Sequence, residues 1–72
     1  MTFELWETES GNIIGGYQTE AAALQAVREV VCPHGAEVVQ SWLLTQEDKR
    51  GRSKALLSGS ALAERALNLV SA

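Results

Sequence analysis

Apolar and polar residues alternate over the first part of the chain as expected for two β-strands joined by a tight turn. The strands are predicted at residues 3–9 and 13–18, with Ser-Gly-Asn at 10–12 in the turn. Two turn registers are possible, and they give the same faces because they differ by an even number of residues. One face carries Phe3, Leu5, Glu7 and Ile14, and the other carries Glu4, Trp6, Thr8, Ile13 and Tyr17. Both faces of this hairpin are therefore partly apolar.

The pattern changes to a helical period after Thr19, which is the predicted N-cap. The apolar stripe of this helix consists of Ala23, Leu24, Val27, Val30 and Val31. Pro33 disfavours helical geometry at the residue before it, and Gly35 permits a chain reversal. We therefore expect the helix to end at Val31 or Cys32.

A second hairpin is predicted from strands at residues 37–44 and 52–57. The segment 48–51, Asp-Lys-Arg-Gly, fits a type I turn whose last residue, Gly51, is left-handed. Closing the turn between positions 48 and 51 places Leu44 opposite Ala55. The predicted core face consists of Val38, Trp42, Leu44, Ala55 and Leu57. The second face carries Ser41, Thr45, Glu47, Arg52 and Lys54, with Leu43 and Leu56 among them.

A final apolar stripe predicts a C-terminal helix, capped by Ser58 or Ser60 and carrying Leu62, Ala66 and Leu69. The predicted order is β-β-α-β-β-α. We expect one small α+β domain over residues 1–72, with a four-stranded antiparallel sheet built from the two hairpins. The helix at 20–31 should pack on one face of the sheet with the C-terminal helix beside it.

Length and composition support one marginally stable domain. A chain of 72 residues buries only about 60% of its unfolded surface, and association often supplements so small a core. The single cysteine, Cys32, excludes an intramolecular disulfide and suits a reducing compartment. We see neither a signal peptide nor an apolar run of about 18 residues that would span a membrane. We expect a soluble cytoplasmic protein.

Positive charge is concentrated in one segment of a chain whose net charge is −3. Four of the six Lys and Arg residues are Lys49, Arg50, Arg52 and Lys54. Two interpretations stay open: a solvated hairpin tip, in which Glu47 pairs across to Arg52, or a contact for nucleic acid. The acidic balance of the chain favours the solvated tip, because its field would repel a polyanion.

Candidate chemistry is sparse. Cys32 and His34 flank Pro33 but lack the further ligands that zinc needs and the third group that a nucleophile–base pair needs. Glu7 and Glu9 have no catalytic histidine or Asp-rich loop beside them. The sequence therefore predicts no catalytic residue, metal ligand or cofactor. We expect that the protein is not an enzyme.

The segment FELWETESGNIIGGYQTEAAALQAVRE resembles the opening of a group of short, uncharacterised bacterial proteins. The similar positions are the Glu-Leu-Trp strand, the Ser-Gly-Asn turn, the Thr-Glu helix start and the Ala-Leu pair, over residues 3–29; DKRGRS in the second hairpin is similar too. A weaker similarity is to small antitoxin domains. The resemblance implies a bacterial cytoplasmic α+β protein and brings no activity, cofactor or catalytic residue.

These observations predict a non-catalytic protein–protein interaction or regulatory module. Homodimerisation is expected through the second sheet face, because both hairpins leave apolar groups there. The candidate interface consists of Trp6, Ile13, Tyr17, Leu43 and Leu56. The alternative for this face is that the C-terminal helix crosses over and covers it. The alternative function is nucleic-acid binding by the basic tip at 49–54.

Overall fold

The computed structural model describes residues 2–68 as a four-stranded antiparallel sheet with its helices packed on one side. In chain order the elements are β1 (Thr2–Glu7), β2 (Asn12–Tyr17), α1 (Glu20–His34), a 3₁₀ helix (Ala36–Val39), β3 (Trp42–Glu47), β4 (Ser53–Ser58) and α2 (Gly59–Leu67). The predicted α+β class and the order β-β-α-β-β-α are confirmed.

The strands lie in the order β2-β1-β3-β4, so the first strand of each hairpin occupies the centre. Strands β1 and β3 pair antiparallel without interruption, which sets Leu5 opposite Leu44. Both leucines are completely buried. The central strands therefore supply the sheet's fully buried hydrophobic side chains, and the edge strands add partly buried ones.

A β-bulge interrupts β2 at Ile14, since its neighbours at 13 and 15 pair with consecutive residues of β1. One extra residue reverses the alternation of faces beyond it. Tyr17 therefore pairs with Phe3 and packs against the core, and not on the face of Trp6. The predicted face of Tyr17 was wrong for this reason.

A second bulge lies in β4 at Leu56, whose neighbours at 55 and 57 pair with consecutive residues of β3. Leu44 consequently lies opposite Leu57, and Ala55 lies opposite Thr45. The predicted pairing of Leu44 with Ala55 was wrong, and so was the predicted face of Leu56, which packs against the core.

One hydrophobic core joins the sheet to the helices. Its buried members are Leu5, Ala23, Leu24, Val27, Val31, Val39, Leu44, Leu62, Ala63 and Ala66. They come from β1, β3, both α-helices and the 3₁₀ helix, so all helices share the same side of the sheet. The predicted position of the C-terminal helix beside the first is confirmed, and the alternative that it covers the other face is wrong.

Helix α1 begins as predicted and ends later than predicted. The Thr19 hydroxyl accepts a hydrogen bond from the Ala22 amide at 3.0 Å, which is the N-cap contact. The helix continues through Pro33 to His34. A proline in the last turn removes only one amide from the helical ladder, and the Gly35 amide closes the end on the Val31 carbonyl at 2.7 Å.

The segment before β3 is helical, where the sequence predicted strand. Residues 36–39 form the 3₁₀ helix, which buries Val39 and leaves Val38 44% exposed. Val38 was therefore wrongly assigned to the core face. Helix α2 begins after Ser58, one of the two predicted caps, although its side chain makes no capping hydrogen bond. Leu62 and Ala66 of the predicted stripe are buried, and Leu69 lies outside the described residues.

Candidate functional site

Strand pairing builds a row of apolar side chains on the side of the sheet away from the helices, which we call the outer face. Trp6 pairs with Ile13 on one side and with Leu43 on the other, and Leu43 pairs in turn with Ser58. The row Ile13, Trp6, Leu43 and Ser58 therefore crosses all four strands. Because β-strand side chains alternate, this row lies opposite the side occupied by Leu5.

The apolar row is not part of the hydrophobic core. Ile13 is 50% exposed, and Trp6 and Leu43 are only half-buried. Among the described residues no helix packs over this side, since both α-helices and the 3₁₀ helix contribute to the core on the opposite side. The row thus contains three large apolar side chains on three neighbouring strands, of which Ile13 is exposed and Trp6 and Leu43 are partly exposed.

Two more rows complete the outer face. The middle row consists of Gly16, Glu4, Thr45 and Ala55, and the third consists of Thr2, Glu47 and Ser53. Thr45 is buried, and its hydroxyl donates to the Glu4 carbonyl oxygen at 3.5 Å. The outer face is therefore apolar along the row nearest one end of the strands. The carboxylates of Glu4 and Glu47 lie in the middle and third rows.

The structure brings together three of the five predicted interface residues. Trp6, Ile13 and Leu43 share the outer face, in one row. Tyr17 and Leu56 pack against the core on the opposite side. Both exceptions follow from the two bulges, which move these side chains to the other face.

The predicted basic tip comprises the turn between β3 and β4 and the start of β4, where Lys54 lies. Gly51 has φ +79° and its amide donates to the Asp48 carbonyl at 3.1 Å, so the predicted left-handed turn is present. The Asp48 carboxylate accepts hydrogen bonds from the amides of Arg50 at 2.8 Å and Arg52 at 3.0 Å. Asp48 thereby fixes the turn and places a negative charge within it.

The basic side chains of the tip are exposed. Lys49, Arg50, Arg52 and Lys54 all face solvent, and a shallow depression of about 310 Å³ is lined by the first three together with Asp48. Glu47 pairs with Ser53, so the predicted cross-strand partnership of Glu47 with Arg52 was wrong. Trp42 packs against the core and is not a stacking group for this tip.

The sequence did not reveal the role of Glu7. Its carboxylate accepts hydrogen bonds from the Ser10 amide at 2.7 Å, the Glu9 amide at 3.2 Å and the Ser41 hydroxyl. Hydrogen bonds from Ser10 and Ser41 lower the pKa of Glu7 to about 2. The available signal was a carboxylate placed just before a Ser-Gly-Asn turn, but the partner at Ser41 is distant in sequence. Glu7 fastens the chain and is not free for acid–base chemistry.

The remaining candidate groups stay apart. Cys32 is exposed in the last turn of α1, two residues before His34. Residues 2–68 contain no cluster of three His, Cys, Asp or Glu side chains that could hold a metal ion. A depression of about 540 Å³ beside the start of α2 is lined by Ala36, Glu37, Gln40, Ser58, Gly59 and Ser60. Within the described part of the chain, every buried side-chain nitrogen or oxygen has a hydrogen-bond partner.

Comparison of the chain with protein-family models, with curated proteins and with solved structures gave no match. Neither helix in the described part of the chain has the length and apolar character needed to cross a membrane. The features available for a functional argument are therefore the outer face and the basic tip.

Proposed function

We propose that this chain is a non-catalytic protein–protein interaction module that forms a homodimer through the outer face of its sheet. The observation that carries this proposal is the apolar row of Ile13, Trp6 and Leu43. Contiguous exposed apolar groups mark association surfaces, and tryptophan is among the residues that contribute most to binding energy.

The shape of the molecule supports association through this face. Its Cα atoms span 35 × 33 × 16 Å, which corresponds to one sheet and one layer of helices. A two-layer domain of this size buries a small core, and a second copy would bury the outer face that the helices of residues 2–68 leave open. The broad side is large enough for the roughly 800 Å² per partner of a standard interface.

A non-catalytic role is supported by the contacts of three of the nine acidic side chains. Glu7 and Asp48 each accept hydrogen bonds from backbone amides. Glu7 stabilises the turn after β1, and Asp48 stabilises the turn after β3. Glu20 lies 3.7 Å from Arg65 in an exposed ion pair between the helices. These groups have structural tasks, and a binding role for the apolar row needs none of them.

The experiment is sedimentation velocity of the wild type, Leu43→Glu and Leu67→Glu at micromolar concentration. We expect the wild type and Leu67→Glu to be dimers and Leu43→Glu to be a monomer with an unchanged circular dichroism spectrum. Leu67→Glu is the matched control, because Leu67 is 49% exposed on α2, on the helical side of the molecule.

Ile13→Glu provides a second test, because Ile13 is half-exposed on an edge strand and a charge there leaves the core intact. It is also expected to be a folded monomer. A wild type that is monomeric at several hundred micromolar, or an Ile13→Glu variant as dimeric as the wild type, overturns the homodimer.

The proposed setting is the bacterial cytoplasm. A reducing compartment keeps an exposed thiol such as Cys32 free, and the chain has no second cysteine to pair with it. The resemblance of residues 3–29 to short bacterial proteins supports the bacterial source.

A second candidate function is nucleic-acid binding by the tip. Its support is the exposure of all four basic side chains on a turn that Asp48 holds in place. An electrophoretic mobility shift assay at low salt tests this function by comparing the wild type with a variant in which Lys49, Arg50, Arg52 and Lys54 are all changed to Ala. An RNA or DNA affinity that is the same in the wild type and the quadruple variant rejects this function.

A further inference from the structure

We propose that the second copy docks with the two-fold axis parallel to the strands, between β1 and β3, so that both basic tips lie at the same end of the dimer. This inference rests on the proposed homodimer and adds its geometry. It follows from the position of the apolar row and from the charges in the two rows beside it.

Each residue of β1 pairs with one residue of β3 in the same sheet. An axis parallel to the strands places that β1 residue over the same β3 residue of the partner copy. Trp6 then meets the partner's Leu43, and by symmetry Leu43 meets the partner's Trp6. The apolar row is therefore buried against itself, with its two central side chains next to the axis.

The same axis also separates the carboxylates of the outer face. Glu4 lies over the partner's Thr45, and Glu47 lies over the partner's Thr2, because these pairs are opposite one another in the sheet. The exposed Thr2 can donate its hydroxyl proton to the partner's Glu47. The Thr45 hydroxyl already donates to the Glu4 carbonyl of its own chain, so Thr45 gives the partner's Glu4 an uncharged neighbour. No carboxylate of the face lies over another carboxylate.

An axis perpendicular to the strands gives a poorer match. Placed at the middle row, it sets Glu4 against the partner's Glu4 and covers Trp6 with the partner's Thr2. Like charges in direct opposition oppose association.

A perpendicular axis at the apolar row avoids that contact but loses area. Trp6 is the penultimate residue of β1, so the two sheets would overlap only near one end. Most of both outer faces would stay exposed, whereas the parallel axis superimposes the whole of each face. Burial of apolar area and the placement of charge therefore favour the same arrangement.

Distances between the tips distinguish these arrangements. With the axis parallel to the strands, the tips are about two strand spacings apart sideways and one sheet spacing apart in depth, which is about 15 Å. With a perpendicular axis, Lys49 and the partner's Lys49 are separated along the strands by about 30 to 40 Å, at roughly 3.4 Å of rise per residue.

The experiment is pulsed electron–electron double resonance on Lys49→Cys, spin-labelled in a Cys32→Ser background. Cys32 is exposed, so its replacement removes the competing label without touching the core. Gln25→Cys is the control, because Gln25 is exposed on α1, on the helical side of the molecule. We expect a short distance, about 15 to 25 Å with the labels, for Lys49→Cys, and more than about 40 Å for Gln25→Cys.

The outcomes separate this geometry from the homodimer itself. A dimer by sedimentation whose Lys49→Cys distance is about 30 Å or longer overturns the parallel axis and leaves the homodimer standing. A short distance for Gln25→Cys means association through the helices, which overturns both proposals. A monomeric wild type rejects the homodimer, and the geometry is rejected with it.

Discussion

The Ser41 hydroxyl donates a hydrogen bond to the Glu7 carboxylate across 34 positions of sequence. The Ser41 carbonyl in turn accepts two hydrogen bonds from Thr8, one from the Thr8 amide at 2.8 Å and one from the Thr8 hydroxyl at 2.6 Å. The turn between β1 and β2 is thereby fastened to the residue that precedes β3. Local turn chemistry and the long-range pairing of the two hairpins share one carboxylate.

Glu7 makes the fold sensitive to acid. Its pKa is about 2 in the folded chain against 4.5 ordinarily, so the unfolded chain takes up the proton first as pH falls. The stabilisation by ionised Glu7 is complete above about pH 4.5 and is lost as pH falls towards 2. We expect urea midpoints of the wild type to drop across this window.

Glu7→Gln is the matched variant, since it keeps the shape and removes the titration. Its midpoint should be lower than that of the wild type at pH 7, and the difference between the two should shrink towards pH 2. A constant difference from pH 7 to pH 2 would contradict the role given to this carboxylate.

Leu43 and Leu44 are consecutive in β3 and face opposite sides of the sheet. Leu44 is completely buried, so Leu44→Ala should lower the free energy of unfolding by about 2–5 kcal/mol. Leu43→Ala should cost about 1 kcal/mol or less, because no helix within residues 2–68 covers it. Chemical denaturation is measured at a protein concentration at which both variants sediment as the same species. Equal losses would show that the outer face is covered within one chain.

The bulge in β4 makes a similar prediction for neighbouring residues. Leu56 packs against the core, whereas Ala55 is exposed opposite Thr45. Leu56→Asp brings a carboxylate to the core and should lower stability by about 2 kcal/mol or more. Ala55→Asp should change the monomer's stability by less than about 0.5 kcal/mol. Thermal unfolding followed by circular dichroism measures both. A larger loss of stability for Ala55→Asp than for Leu56→Asp would contradict the bulge and support the regular register.

Gly59 joins β4 directly to α2 in a conformation that other residues adopt only with strain. Its φ is +53°, and a Cβ there would lie 3.1 Å from the Gln40 carbonyl oxygen. Gly59→Ala should therefore destabilise the fold by about 1–2 kcal/mol. Gly16→Ala is the control, since nothing lies within 4 Å of a Cβ at that position and its φ is not positive. Equal unfolding midpoints for the two variants would contradict the strain at Gly59.

Signals that act over a few residues predicted the local structure well. Thr19 caps its helix, Gly51 takes the left-handed position of its turn, and Leu62 and Ala66 face the core. Each depends on hydrogen bonds or periodicity within one element. The strand faces near the ends of the hairpins depended on contacts between elements, and there the sequence was less informative.

The errors have a common physical origin. The bulges at Ile14 and Leu56 arise in runs of ordinary strand formers, where nothing local distinguishes a regular residue from an extra one. Tyr17 and Leu56 were misplaced as a result, while Trp6, Ile13 and Leu43 lie on the face expected of them. The structural role of Glu7 could not be predicted, because Ser41 is 34 positions away in sequence and comes close only in the folded chain.

The two bulges also bear on how far association can proceed. They lie in β2 and β4, which are the two edge strands, and the central strands are regular. A bulge twists an edge and interrupts the ladder that another strand would need, so neither edge is a good template for extending the sheet. Association through one self-complementary face closes at two copies. The proposed homodimer would therefore be a finite complex and would not grow into a fibre.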